Sequence, residues 1–256
     1  MTTSKIQLTT PDGPCTTEVA TPRGNGPWPA VIVFFDAGGL RPAQTRIAER
    51  IADSGYVVLQ PDLFHRSPPI SELLGGPVTL AALVKVFQDA ELRGKFMSGY
   101  YLPALAYENL ERTVGAVLNH IAARPDVRGH VGTTGYCMGG RLSLVAAANL
   151  GERIAAAASF HGGNLAKADD PDSPHHKADG IGAAVYVAGA IEDQSFPEEQ
   201  KELLEQSLTG AGVVHTIETY QAHHGFAVPD NASYDAEAAE RHWKATEDFF
   251  GSALGR

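Results

Sequence analysis

The chain is poor in cysteine. Cys15 and Cys137 are the only two in 256 residues, so no disulfide framework is expected. There is also no Cys-x-x-Cys to support thioredoxin-like redox chemistry. Basic residues are scarce too. Twenty Lys and Arg face thirty Asp and Glu, a formal net charge of -10, which argues against nucleic acid or an anionic membrane surface as a partner. No apolar run approaches the roughly 18 residues of a membrane span. Met1 to Lys5 lead into no apolar h-region, so a soluble, cytoplasmic protein without a signal peptide is expected. The first buried run is not followed by Gly-x-Gly-x-x-Gly, which removes the simplest dinucleotide site. His-Glu-x-x-His does not occur, and His175-His176 sits in a polar stretch without acidic or Cys partners at ligand spacing. We therefore expect neither metal nor cofactor. Gly135 to Gly140 fits the glycine frame of a phosphate loop, but Arg141 and Leu142 stand where Lys and Ser or Thr are needed.

What the chain does contain is an alternation of strand and helix patterns. Residues 1–27 read as an edge hairpin that breaks at Pro22-Arg23-Gly24-Asn25-Gly26-Pro27. Ala30 to Phe35 is an apolar run of the kind found in strands buried on both faces, Ala183 to Gly189 is another buried strand, and Tyr56 to Leu63 and the small-residue segment Ala155 to Phe160 read as strands between them. Val213 to Tyr220 alternates like a late strand. Helices are predicted over 42–54, 78–92, 198–209 and 234–253. Another carries Leu110, Val114, Val117, Leu118 and Ile121 on one face, and one more follows Cys137. In the 78–92 helix, Leu80, Leu83, Val84 and Phe87 fall on one stripe. This order predicts an α/β fold with a mostly parallel sheet and helices on both faces, in a single domain spanning 1–256. Residues 64–103 form an excursion where a cap over a pocket would come, and Arg93 to Tyr101 within it is a polar patch.

Function should collect at the carboxyl ends of the strands. At Gly135-Tyr136-Cys137-Met138-Gly139-Gly140 an apolar segment turns directly into a helix-forming run, the pattern of a nucleophile elbow with Cys in place of Ser. A helix start directs free N–H groups at the turn, which favours a thiolate and a developing oxyanion. Asp193 follows the 183–189 strand, and His224 follows the 213–220 strand. Nucleophile, acid and histidine in that chain order fit a triad in which the imidazole moves the proton and the carboxylate fixes its tautomer. Glu192 and His223 are the neighbouring competitors for the last two roles. His161, at another strand end, is a candidate for lining the pocket.

These residues resemble the dienelactone hydrolase family, whose members have an α/β-hydrolase fold and a Cys-Asp-His triad. The resemblance rests on the elbow, on Asp193 with Pro197 four residues on, on His224-x-Phe226, and on Pro61-Asp62-Leu63-Phe64-x-Arg66. It implies a hydrolase acting on a small lactone or carboxylic ester through a cysteine acyl-enzyme, without cofactor, as a monomer or homodimer. By analogy with the fold, the backbone N–H groups of Met138 and Ala37 are the oxyanion donors. The chain departs from the family at two positions. The strand-end acid beside the thiol, usually Glu, is Asp36 here, shorter by one methylene; it is expected to tune Cys137. The Arg four residues after the triad His, which holds a substrate carboxylate in dienelactone-cleaving members, is Val228. Arg41, Arg66, Arg93 and Lys95 are the candidates to replace that charge. The expected substrate-binding residues are His161, Arg93, Phe226 and Val228. Two other readings use the same residues: an acyltransferase or thioesterase, and a binding or sensor protein with a reactive Cys137.

Overall fold

The computed structural model describes residues 1–255. Its eight strands form one sheet in the order β1-β2-β4-β3-β5-β6-β7-β8. Strands β1 (Thr2–Thr10) and β2 (Gly13–Thr21) make the expected edge hairpin, and β2 runs antiparallel to β4 (Val57–Pro61). From there β3 (Trp28–Phe34), β5 (Val127–Tyr136), β6 (Ala156–Phe160), β7 (Ala184–Ala190) and β8 (His215–Tyr220) are all parallel. Strand β3 shows why a continuous apolar run was needed. Ala30, Ile32 and Phe34 face one half of the core and Val31 and Val33 the other. Successive side chains point to opposite faces, and both faces are covered.

One face is covered by α1 (Pro42–Asp53) and α9 (Ala236–Leu254), with Ile47, Ile51, Trp243 and Phe250 packed inward. The other carries α6 (Tyr107–Ala122), α7 (Met138–Leu150) and α8 (Glu198–Gly210), through residues such as Val114, Val117, Leu142 and Leu204. Among the described residues, no helix is long and apolar enough to cross a membrane.

The excursion differs from expectation in detail. It contains α2 (Ile70–Leu74), α3 (Leu80–Gln88) and α4 (Ala90–Phe96), a π-helical turn at Met97–Tyr101, and α5 (Leu102–Leu105). The single helix expected over 78–92 is broken at Asp89. Its backbone is extended there, and its carboxylate accepts the N–H groups of Glu91 and Leu92, so the residue caps a new helix. The 93–101 patch, expected as a polar connection, is helical. Phe96 and Tyr100 are buried there, edge-on to Phe64, and tie the excursion to the body of the fold.

Candidate active site

The carboxyl end of β5 is central in the sheet, and it turns into α7 within one residue. Cys137 carries the turn at φ 55° and ψ -116°, outside the region ordinary side chains occupy. Its N–H donates to the Phe160 carbonyl at 3.2 Å, which ties the elbow to β6. The turn closes only because glycines flank it. A Cβ on Gly135 would overlap the carbonyl oxygen of Gly139, and one on Gly139 would overlap that of Phe34. Met138 is the first residue of α7, so its N–H has no intrahelical acceptor and is free to face the chamber.

Asp193 and His224 come from the ends of β7 and β8, two and three strands away from β5. His224 Nδ1 lies 2.7 Å from Asp193 Oδ2. The other oxygen of Asp193 accepts the Ser195 backbone N–H at 2.9 Å and the Ser195 hydroxyl at 2.6 Å. Burial alone would raise the Asp193 carboxyl, but the bonds from His224 and Ser195 hold it at about 2. Burial likewise opposes protonation of His224. Its hydrogen bonds to Asp193 and to the sulfur of Cys137 outweigh that and raise it to about 10. The structure thus brings Cys137, His224 and Asp193 together: His224 is bonded to Asp193 and shares the walls of both depressions with Cys137. Ser195 was missed in the sequence; its signal was the Asp-x-Ser spacing of an Asx turn.

Asp36 lines one depression together with Cys137, and its carboxylate is held by Arg41. Arg41 Nη1 and Nη2 donate to its two oxygens at 2.6 and 2.7 Å, and the Gly38 N–H donates to Oδ1 at 2.8 Å. The carboxylate is committed to a guanidinium that is itself completely buried. The shorter Asp side chain is thus a member of a buried ion pair.

Two depressions meet at Cys137 and His224. The first, about 350 Å³, has Tyr101, Asn164, Gln194 and Ser195 in its wall beside Met138. The second, about 140 Å³, is bounded by Ala37 and Gly38 on one side and by Leu80, Leu83, Val84 and Phe87 of α3 on another. The helical stripe read in the sequence thus lies on the chamber, with Val84 and Phe87 still 53% and 39% exposed. Tyr101 was not singled out in the sequence. Burial, and then the charge of Cys137, push its phenol up to about 12.

His161 also lines the second depression, at the end of β6 with φ 40°. Its ring meets those of His224 and Phe226 at 5.0 Å each. Burial, then the nearby His224 and His242, push it well below the usual histidine range, so it is neutral. The other expected substrate-binding residues lie outside the two depressions. Phe226 and Val228 are fully buried core residues beneath the site and line neither depression. Arg93 is exposed and donates to the Phe87 carbonyl from outside the chamber. Of the other cations proposed, Arg41 is held by Asp36 and Asp230, Arg66 by Asp12, and Lys95 by Glu91. Among the described residues, no Lys or Arg lines either depression. No three His, Cys, Asp or Glu side chains among the described residues are grouped to hold a metal.

The strand order, the elbow and the strand-end Asp and His define an α/β-hydrolase. The comparisons narrow the class. Residues 16–254 match the model of the dienelactone hydrolase family, and the chain belongs to that family. It is 29% identical over 239 residues to a "Putative carboxymethylenebutenolidase" of Synechocystis sp., which covers 92% of this chain and 91% of the relative. A protein of the same description from Escherichia coli K12 is 26% identical, covering 91% and 80%. The crystal structure of a "Putative Dienelactone Hydrolase" from Klebsiella pneumoniae superposes with a TM-score of 0.80 at 23% identity, covering 98% of both chains, and so shares the fold.

Proposed function

We propose that this hydrolase cleaves small, uncharged carboxylic esters or lactones through a thioester on Cys137. Family membership and the Cys137–His224–Asp193 arrangement support lactone or ester hydrolysis. The observation that carries the substrate reading is the chamber wall: α3 presents Leu80, Leu83, Val84 and Phe87, and among the described residues no Lys or Arg lines the chamber. A substrate carboxylate there would lose hydration without gaining a Lys or Arg partner. Residues 64–103 act as the cap that supplies this wall.

In the mechanism, Cys137 Sγ attacks the carbonyl carbon while His224 carries the proton as imidazolium, steadied by Asp193. The tetrahedral oxyanion is received by the N–H groups of Met138 and Ala37. The C–O bond then breaks, and His224 Nε2 protonates the leaving alkoxide. In a lactone that hydroxyl stays attached to the acyl chain. His224 next takes a proton from water as the water attacks the thioester; the C–S bond then breaks, the carboxylic acid leaves, and the thiolate–imidazolium pair is restored. The acidic charge balance and the two unbridged cysteines support a cytoplasmic enzyme, monomeric or homodimeric, acting without nucleic acid or membrane.

The test is a panel of paired esters and lactones that differ only by a carboxylate on the acyl part. Neutral members should be turned over with kcat/KM at least about tenfold higher, and Cys137→Ala should abolish turnover with unchanged circular dichroism. A preference for the anionic members would overturn the substrate reading, and retained turnover in Cys137→Ala would overturn the mechanism.

A further inference from the structure

Among the described residues, Arg41 is the one fully buried guanidinium that touches both loops beside the thiol, and the triad does not use it. Its backbone starts α1: the Arg41 carbonyl accepts the N–H groups of Gln44 and Thr45 at 2.9 and 3.1 Å, so the side chain projects from a rigid element. On one side it holds both oxygens of Asp36 and reaches the Gly39 carbonyl at 3.3 Å. Asp36 Oδ1 also accepts the Gly38 N–H, and the Asp36 carbonyl accepts that of Gly39 at 3.1 Å. Ala37 therefore sits between tied neighbours, and the direction of its N–H is set by the tie.

On the other side Arg41 Nε and Nη2 donate to the two oxygens of Asp230 at 2.8 and 3.0 Å. Asp230 belongs to the turn that follows His224. The Asn231 N–H donates to the Val228 carbonyl and the Val228 N–H to that of Gly225. The Asn231 side chain packs where a Cβ on Gly225 would stand, directly beside His224 in sequence. Only a planar fork with donors on both edges can hold two carboxylates at once in this way.

We infer that Arg41 is a positioning residue, a clamp that sets the Ala37 oxyanion amide against the His224 loop by binding Asp36 and Asp230 together. The inference rests on the acyl-transfer chemistry proposed above. It gives Asp36 a role different from tuning the thiol: the carboxylate is the anchor by which the oxyanion loop is held.

The test compares wild type with Asp230→Ala, Asp230→Asn and Arg41→Lys. The readouts are kcat and KM on a neutral p-nitrophenyl ester, the rate of Cys137 alkylation by iodoacetamide, and thermal unfolding. Alkylation needs the thiol and His224 but no oxyanion donor. Asp230 is partly exposed, so its variants keep the test decisive if Arg41→Lys does not fold. Asp230→Ala should lower kcat about tenfold, less than the hundred- to thousandfold loss of an oxyanion donor outright. KM and alkylation should stay within about threefold of wild type. Asp230→Asn, which still accepts one N–H, should recover part of kcat, and Arg41→Lys, which cannot bridge both acids, should not. A kcat unchanged in Asp230→Ala, or a parallel fall of kcat, alkylation and unfolding temperature, would overturn the clamp. A wild-type enzyme that turns over no ester yet alkylates normally would overturn the underlying acyl-transfer reading instead, and the clamp with it.

Discussion

Nδ1 of His224 stands 2.7 Å from Oδ2 of Asp193, while Ser195 occupies the other oxygen of the same carboxylate. The two bonds fix the imidazole tautomer that leaves Nε2 facing the sulfur. Asp193→Asn keeps the shape but offers a donor where an acceptor is needed. It should lower kcat on the order of 10³- to 10⁴-fold with little change in KM. Ser195→Ala removes only one of two donors to Oδ1 and should cost about three- to tenfold. Steady-state kinetics on one neutral ester distinguishes the two magnitudes.

The pH dependence of stability follows from the same pair. His224 is raised from its ordinary 6.5 to about 10, so its contribution is fully present below pH 6.5 and is lost as pH rises through 10. The unfolding temperatures of wild type and His224→Gln should differ most at pH 6.5 and below and converge by about pH 10. Asp193 has the opposite sign. Held at about 2 against an ordinary 3.8, it stabilises above 3.8 and loses that contribution as pH falls through 2. His161, neutral throughout, should show no NMR titration near pH 6.5. A His161 ring that protonates near 6.5 would contradict the burial argument.

The elbow depends on close backbone approach at Gly135, where an added Cβ would meet the Gly139 carbonyl oxygen. Backbone cannot yield as a flexible side chain does. Gly135→Ala should therefore destabilise by about 2–3 kcal/mol, lowering the unfolding temperature by roughly 5–10 °C for a domain of this size. The loss of activity should exceed the loss of folded protein, because the same shift displaces Cys137. Differential scanning calorimetry with active-site titration separates the two effects.

The strand–helix alternation and the ordered Cys137, Asp193 and His224 were legible in the sequence because they rest on local signals: apolar runs, glycines at a tight turn, and position after a strand. The stripe of Leu80, Leu83, Val84 and Phe87 was legible as a helix face, but the surface it would face was not, since docking is tertiary. The ion pairing of Asp36 was not legible for a related reason. Its partner Arg41 is five residues on, but that guanidinium is completed by Asp230, 189 residues further along the chain, and no local pattern joins them. Phe226 and Val228 follow His224 and read as pocket residues. The chain turns at Gly225 with φ 99°, which sends them into the core under His161. The break of the 78–92 helix came from Asp89, whose capping preference competed with an otherwise unbroken helical pattern.

Val84 offers the most direct control of substrate charge. It lines the chamber, it is more than half exposed, and nothing packs over it tightly enough to resist a longer side chain. Val84→Arg should leave stability within about 0.5 kcal/mol of wild type, while placing a guanidinium on a wall that no Lys or Arg lines among the described residues. Its benefit to a carboxylate-bearing ester is that of a partly exposed ion pair, a gain of about three- to fivefold in kcat/KM relative to the matched neutral ester. Because the new charge is at the rim, the gain should shrink in high salt as screening shortens its reach. Val84→Gln, of similar bulk without charge, should show no such gain. If Val84→Arg and Val84→Gln changed the anionic-to-neutral ratio equally, the wall would be acting by shape rather than by its lack of charge.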